Sequence, residues 1–181
     1  SSSFIPHPSS LKRLIVGISG ASGVIYGIRL LQILQQGGEI ESHLVLSAAA
    51  KATIAQETDW KVSEVEALAS VVHHPNDIGA SIASGSFTTL GMVIVPCSIK
   101  TLSALAHSFN TNLLIRAADV TLKERRRLIL MVRETPLHLG HIRLMAQAAE
   151  NGAIIFPPVP AFYTHPARLE DIVDQIVGRI L

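Results

Sequence analysis

Residues 14–23, LIVGISGASG, decide the fold of this chain. A run of large apolar side chains stops abruptly at small polar residues and glycines. An apolar run that does not alternate with polar residues is typical of a strand buried on both faces, and such strands build parallel sheets. The glycines and serines that follow then lie at the carboxyl end of the strand, which is where open parallel sheets bind their ligands.

Three further runs of Val, Ile and Leu end in the same way, at small, polar or charged residues. They cover residues 44–46, 92–95 and 128–132. Stretches with helical periodicity separate the runs, and this alternation predicts right-handed crossovers with helices on both sides of the sheet. The fold class is therefore α/β, a three-layer αβα arrangement around a mostly parallel sheet.

The same patterns place the other elements along the chain. Helices are predicted over residues 24–36, 48–58, 62–69, 98–106, 113–125, within 136–152, and over 168–181. Ser63 is the expected N-cap of the third helix, and Gly37 and Gly38 end the first. Residues 153–156 are predicted as a short strand, and residues 73–85, rich in Pro, Asn, Asp and small residues, as loop and turn.

Size and composition predict a single domain over residues 13–181, preceded by a disordered, leader or tag segment over residues 1–12. Of the 181 residues, only 16% are charged, a lean proportion that favours a homo-oligomer because partner subunits would cover part of the surface. The net charge of +1 gives no global attraction to nucleic acid or to an anionic membrane. No apolar stretch approaches the length of about 20 residues that spans a bilayer.

The single cysteine, Cys97, excludes an intrachain disulfide and favours a reducing compartment. The expected location is the cytoplasm, or the mitochondrial matrix if residues 1–12 are a processed leader. Cys97 itself is either a nucleophile or a small apolar residue beside a buried strand.

Two predicted helix starts at the sheet edge could hold an anion. Gly20 to Gly23 let backbone N–H groups approach a ligand closely, and Ser98 to Thr101 repeat the arrangement after another strand. The alternatives are a tight turn and a serine N-cap. The glycine spacing does not match the dinucleotide pattern, so the pair of helix starts favours a mononucleotide such as FMN.

A third candidate site lies on one face of the helix predicted over residues 113–125. Arg116, Asp119 and Lys123 share that face, and Asp119 can pair with either cation. They form either a solvated row of salt bridges or a cationic face for a phosphate, in which Asp119 holds the cations in place.

Charged and aromatic residues also follow the later strands. Arg133 could bind an anion at the sheet edge, and Glu134 could act as an acid or base there. Tyr163 is either a further edge residue or an amphipathic core residue. His138 and His141 are three residues apart, but no carboxylate or cysteine completes a metal site with them.

Six motifs in this order resemble those of the UbiX-type flavin prenyltransferases, a family long labelled as aromatic acid decarboxylases. They are Gly20-Ala21-Ser22-Gly23, Ser84-Gly85-Ser86-Phe87, Pro96-Cys97-Ser98-Ile99-Lys100-Thr101-Leu102, Arg116-Ala117-Ala118-Asp119-Val120 through Lys123-Glu124, Arg133-Glu134-Thr135-Pro136-Leu137, and Pro160-Ala161-Phe162-Tyr163. The resemblance runs from about Arg13 to Leu181, so it covers essentially the whole domain.

The resemblance implies a Rossmann-like, FMN-binding flavoprotein that assembles into a homododecamer. It also implies a metal-independent prenyltransferase that joins a dimethylallyl group, taken from dimethylallyl monophosphate, to N5 and C6 of reduced FMN. The prenylated FMN would then serve a UbiD-type decarboxylase.

Roles for particular residues follow from the resemblance alone. It implies FMN contacts from Gly20, Ala21, Ser22, Ser47, Ser98, Ile99, Lys100, Thr101 and Arg133. It implies that Tyr163 and Arg179 hold the allylic phosphate, with Arg116 and Lys123 beside them. Ser22, Glu57, Arg116, Lys123 and Glu134 become the catalytic set, in which Glu57 and Glu134 handle protons and Ser22 lies near N5.

The chain departs from the family pattern at several positions. They are Leu90, where an Asp is common, His138, where a Ser is usual, and residues 142–144, which replace an acid and an Asn. Relatives also continue past Leu181 with a tail. Two rival functions remain, a flavin-dependent decarboxylase of the cysteine-decarboxylase type and a non-catalytic FMN carrier. The catalytic His and the Pro-x-Met-Asn loop of those decarboxylases are not found here, and the phosphate-binding residues argue against a carrier.

Overall fold

The structure, a computed structural model, describes residues 12–181. Six strands form one sheet. They are β1 (Lys12–Ile18), β2 (Ile40–Leu46), β3 (Val71–His73), β4 (Gly91–Cys97), β5 (Arg127–Val132) and β6 (Ile154–Ile155). Lys12 belongs to β1, so the strand begins one residue inside the segment predicted to lie outside the domain. The rest of that segment lies outside the described residues.

Seven α-helices connect and follow these strands in the described part of the chain. They are α1 (Val24–Gly37), α2 (Ala48–Glu57), α3 (Val62–Glu66), α4 (Ile99–Ala106), α5 (Leu113–Lys123), α6 (Leu139–Glu150) and α7 (Leu169–Ile180). A short 3-10 helix, Ser81–Ala83, lies before β4. None of the helices in residues 12–181 has the length and apolarity that crossing a membrane requires.

Every strand pairing among the described residues is parallel, in the order β3-β2-β1-β4-β5-β6. Two buried clusters cover the two faces of the sheet. One contains apolar residues of α1, α2 and α7, and the other contains those of α4, α5 and α6. The three-layer, Rossmann-like α/β prediction is therefore confirmed, and the four apolar runs are the buried centres of β1, β2, β4 and β5.

Two local predictions were wrong. The helix near residue 62 begins at Val62, and the Glu64 carboxylate accepts the Lys61 backbone N–H at 2.7 Å, so Lys61 and not Ser63 is the N-cap. The segment predicted as loop contains the 3-10 helix, and its first residue, His73, ends the edge strand β3.

Candidate active site

The strand order creates a crevice between β1 and β4. From β1 the chain builds outward to β2 and β3, and it then returns to the other side of β1 to build β4, β5 and β6. Connections therefore leave β1 and β4 in opposite directions, and such a switch point opens a cleft at the carboxyl ends of the two strands. The residues after β1 and after β4, which the sequence singled out, meet in this place.

Hydrogen bonds join the loops that leave these two strands. The Ser19 hydroxyl donates to the Pro96 carbonyl at 3.0 Å and accepts the Ser98 N–H at 2.7 Å. The Ser19 N–H donates to the same carbonyl at 3.2 Å. Because Ser19 is 1% exposed, these bonds are shielded from water and fix the two loops relative to each other. Ser19 was not among the site residues predicted from the sequence.

The loops after β2 and β5 are fixed to the same edge. The Ser47 N–H donates to the Ile18 carbonyl at 3.1 Å, and the Arg133 N–H donates to the Cys97 carbonyl at 3.2 Å. Backbone bonds thus hold all four predicted loops in one row along the carboxyl edge of the sheet.

A cavity of about 570 Å³ lies at this edge. It brings together four predicted site residues, Ser22, Glu57, Arg133 and Glu134. Its remaining lining residues are Gly23, Ile25, Tyr26, Val132, Thr135, Pro157, Pro158, Val159, Leu169 and Val173. Carboxylates, a guanidinium group and a hydroxyl therefore share one concave site with an apolar wall, the usual make-up of a small-molecule site.

Glu57 reaches the cavity from the end of α2. Its carboxylate accepts the Gly23 N–H at 2.9 Å, at the start of α1. Gly23 has φ = 100°, a left-handed conformation that favours glycine. This bond ties the last residue of α2 to the turn that carries Ser22.

Tyr26 is a cavity residue that sequence analysis missed. It lies in the first turn of α1, and its N–H donates to the Gly23 carbonyl at 3.0 Å. Burial raises the pKa of Tyr26 above its ordinary value, and the positive charge of Arg133 opposes part of that rise. The phenol therefore stays protonated at neutral pH and can donate a hydrogen bond within the cavity.

Ser98 serves as an N-cap, as one of its two sequence interpretations held, and Ser47 is an N-cap as well. The Ser47 hydroxyl accepts the Ala50 N–H at 3.0 Å, and the Ser98 hydroxyl accepts the Thr101 N–H at 3.2 Å. Capping does not remove these residues from the edge, because the helix starts themselves lie there. Ile99 and Thr101 follow Ser98 in the first turn of α4.

Gly20 marks a close approach of the turn to α2. A Cβ at this position would lie 2.4 Å from the Cβ of Ala49, so only glycine lets the backbone of this turn pass so near the helix start. Ala21 follows it and is buried. Lys100, in contrast, lines a separate cavity on α4 together with Ser103, His107 and Phe109.

On the predicted cationic face of α5, Asp119 pairs with only one of the two cations. Arg116 lies 3.8 Å from the Asp119 carboxylate, which also accepts hydrogen bonds from Ser108 at 2.9 Å and Asn110 at 3.1 Å. Lys123 pairs with Glu124 instead. Asp119 therefore orients Arg116 but not Lys123.

Lys123 lies at the opposite edge of the sheet from the cavity. It ends α5, and β5 begins four residues later at Arg127, the amino end of that strand. A strand of six residues is about 20 Å long, so the Lys123 end of α5 is separated from the carboxyl edge by the length of β5. Neither Arg116 nor Lys123 lines the cavity.

Two further predicted residues also lie outside the cavity lining. Tyr163 is 76% exposed in the single chain. Arg179 is in the last turn of α7, with its guanidinium 5.9 Å from the ring centre of Phe156. The structure therefore gathers part of the predicted set in one chain and leaves Arg116, Lys123, Tyr163 and Arg179 on other surfaces.

The remaining candidates have structural roles. Cys97 is fully buried, and burial raises the pKa of its thiol far above its ordinary value, so the apolar interpretation is confirmed. His138 caps α6, its Nδ1 accepting the His141 N–H at 3.3 Å, and the two rings stack with centroids 3.5 Å apart. Among residues 12–181, no group of three His, Cys, Asp or Glu side chains is arranged to hold a metal ion.

Comparisons with known proteins agree on one family. A family model described as Flavoprotein matches residues 4–181. The flavin prenyltransferase UbiX of Escherichia coli strain K12 is 66% identical over 171 residues, which are 94% of this chain and 90% of that protein.

Two solved structures match closely as well. The crystal structure of AnUbiX (PadA1) in complex with FMN and dimethylallyl pyrophosphate has a TM-score of 0.93 and 50% identity, and the match covers 94% of this chain and 90% of that one. A dodecameric FMN-dependent UbiX-like decarboxylase from E. coli O157:H7 has a TM-score of 0.92 and 46% identity, covering 93% of this chain and 92% of that one.

Proposed function

The chain belongs to the UbiX-type family of flavin prenyltransferases, and from that premise we propose that it joins a dimethylallyl group to N5 and C6 of reduced FMN. The proposed donor is dimethylallyl monophosphate. The observation that carries the proposal is the cavity at the carboxyl edge of the sheet, which places Ser22, Glu57, Arg133 and Glu134 around one space.

The residues present fit a flavin mononucleotide. Helices α1, α2 and α4 all begin at this edge, so their free N–H groups and dipoles favour a phosphate. The close packing of Gly20 against Ala49 holds the turn after β1 near the start of α2. In this proposal the backbone of that turn contacts the flat flavin ring. When bound, reduced FMN supplies the nucleophilic atoms to which the prenyl group is attached.

The cavity side chains have complementary roles in this reaction. Arg133 stabilises negative charge, and Glu134 and Glu57 accept or return a proton within reach of the flavin. The Ser22 hydroxyl lies on the turn at the start of α1 and is proposed to hydrogen-bond near N5. The Tyr26 phenol, protonated at neutral pH, adds a donor that orients the bound molecules.

The cations for the departing phosphate come from another copy of the chain in this proposal. Loss of the allylic phosphate creates an anion that fixed positive charges must stabilise, and Lys123 is at the wrong edge of its own chain to do so. A UbiX-like relative is dodecameric, which is a precedent for contacts between copies of a chain of this fold. We therefore place Arg116 and Lys123 of a neighbouring copy, with Tyr163 and Arg179, around the phosphate.

The biological setting belongs to the same proposal. The protein acts as a homo-oligomer, and the dodecamer of its relative is the expected state. Its product is passed to a UbiD-type decarboxylase, and the reaction takes place in the cytoplasm. The high identity to a bacterial flavin prenyltransferase supports this assignment.

The decisive experiment is anaerobic incubation of the protein with reduced FMN and either dimethylallyl monophosphate or the pyrophosphate, followed by mass spectrometry of the released flavin. The expected result is flavin heavier by one dimethylallyl unit with the monophosphate. Lys123→Ala should bind FMN as the wild type does but yield less than a tenth of this product, because one charge-assisted contact is worth about 2 kcal/mol. Bound but unmodified flavin would instead indicate a carrier, and release of CO₂ in a parallel incubation with a peptide that ends in cysteine would indicate a decarboxylase.

A further inference from the structure

The turn formed by residues 84–87 lies against the end of α5, and the proposed mechanism gives it no part. It follows the 3-10 helix and precedes β4. The Phe87 N–H donates to the Ser84 carbonyl at 3.2 Å, and the hydroxyls of Ser84 and Ser86 are 2.9 Å apart. These bonds close the turn, but none of them connects it to α5.

Arg126 makes that connection. Its guanidinium donates to the Gly85 carbonyl at 2.6 Å and to the Phe87 carbonyl at 2.9 Å. Both bonds span about 40 residues of sequence, and Arg126 is half-buried. A planar guanidinium can donate to two carbonyls at once in fixed directions, which a lysine ammonium cannot reproduce. Arg126 therefore sets both the position and the orientation of the turn.

The held turn presents Gly85 to the Lys123–Glu124 ion pair. A Cβ at Gly85 would lie 2.0 Å from Glu124 Oε1 and 2.8 Å from Lys123 Nζ. The ammonium and the carboxylate thus occupy the space that a side chain at position 85 would fill. Both are the far ends of flexible side chains, so a methyl group here would move the charged pair and leave the backbone in place.

We infer that Gly85 and Arg126 form a positioning surface that aims the Lys123 ammonium at the substrate phosphate. This inference rests on the proposed function, in which Lys123 contacts the phosphate. Arg126 is a positioning residue because it acts through the turn. Gly85 supplies the space in which the ammonium is held. The charge of Lys123 alone is not sufficient in this account, because its position decides how well it meets the phosphate.

The first test is Gly85→Ala, with Gly79→Ala as the matched control in the preceding loop. A Cβ at Gly79 would meet only Asp77 Oδ1 at 3.6 Å, an ordinary contact. We expect Gly85→Ala to raise the KM for dimethylallyl monophosphate about tenfold or more, the loss of one charge-assisted contact. The Kd for FMN and the Tm should stay within the range of the control, because the displaced atoms are side-chain ends.

The second test separates the two directed hydrogen bonds of the Arg126 guanidinium from its positive charge. Arg126→Gln and Arg126→Lys should both raise the KM for dimethylallyl monophosphate with little change in FMN affinity. Arg125→Gln removes an equal charge from the adjacent residue and should leave the KM unchanged. The inference is overturned if Gly85→Ala matches Gly79→Ala, or if Arg126→Lys restores the wild-type KM. Failure of the proposed function is recognised separately, because the wild type would then make no prenylated flavin.

Discussion

A chain of hydrogen bonds from Glu41 through His43 to His73 joins strands β2 and β3. His43 Nε2 is 2.7 Å from the Glu41 carboxylate, and His43 Nδ1 is 2.9 Å from His73 Nε2. His43 is almost fully buried, and Phe87 packs edge-on against its ring at 5.2 Å. With both rings neutral, His43 donates to Glu41 and accepts from His73, so both nitrogens of His43 and Nε2 of His73 have partners.

Burial is the main reason that His73 resists protonation. Burial lowers the pKa of His73 most, the charge of a protonated His43 lowers it further, and Asp77 opposes both. The hydrogen bond from His43 lowers the pKa of Glu41, as does Arg13, whose guanidinium lies 3.3 Å from that carboxylate. The arrangement therefore favours an ionised Glu41 and a neutral His73.

We predict that His73 makes the protein less stable in mild acid. Its pKa is lower in the folded state than the value of 6.5 of a free side chain, so the unfolded chain binds the extra proton first. The contribution of His73 to the free energy of unfolding is fully present above about pH 6.5 and is lost as the pH falls toward its lowered pKa. Urea unfolding at about pH 7.5 and about pH 5.5 should show a larger loss for the wild type than for His73→Gln. Equal losses in the two proteins would contradict the assignment.

At the residue scale, the sequence revealed some of the site. Arg133 and Glu134 could be found because they directly follow a buried apolar run. Burying an unpaired charge there would be costly, so charged residues at this position indicate a function. Glu57 had no such local signal and came from the family resemblance alone, since its partner Gly23 is 34 residues away. Tyr26 was missed because a tyrosine in an amphipathic helix is usually a core residue, and nothing in the neighbouring sequence shows that it lines the cavity.

At the scale of elements, α1 packs unusually close to the sheet through Gly27. A Cβ at this position would lie 2.4 Å from the Val95 carbonyl oxygen and 2.7 Å from Ile18 Cδ1. The first of these atoms belongs to the backbone of β4 and cannot move aside cheaply. Because α1 starts at the cavity, this contact also fixes the distance between the start of α1 and the carboxyl ends of β1 and β4.

Two alanine substitutions in α1 should therefore have opposite effects. Gly27→Ala should lower the free energy of unfolding by about 1–3 kcal/mol through overpacking. Gly37→Ala should raise it by up to about 1 kcal/mol, because a Cβ there meets no atom within 4 Å and alanine favours the helix. Urea unfolding at one protein concentration measures both variants. A Gly27→Ala variant as stable as Gly37→Ala would show that α1 can shift away from β4.

Long buried strands were predictable, and so was the short strand β6, but the short edge strand β3 was not. The four apolar runs marked their strands because both faces of those strands are covered. The edge strand β3 has three residues and pairs with β2 alone, so it carries no long apolar run. The N-cap of α3 was misplaced for another reason: Ser63 is a good cap by type, but Glu64 accepts the Lys61 N–H, and the cap lies two residues earlier, at Lys61.

At the scale of the whole molecule, the parallel topology separates two groups of residues in the proposed reaction: those that follow strands, and Lys123. All strands run in one direction, so residues after a strand gather at one edge, and residues before a strand gather at the other. Most of the side chains proposed to contact FMN directly follow strands, whereas Lys123 precedes β5. The sequence motifs contain both groups of residues. They could not show that the two groups lie at opposite edges of one chain, because that depends on how the strands and helices are arranged in space.

Complementation between two inactive variants tests this arrangement most directly. Copies carrying Lys123→Ala and copies carrying Glu134→Gln, each with a different affinity tag, are co-expressed and purified on both tags in turn. If each site takes its carboxylate from one copy and its ammonium from another, some sites in the mixed oligomer contain neither substitution, and prenylated FMN forms well above the level of either parent. Mixed oligomers that contain both kinds of copy and make no more product than the parents would contradict the account.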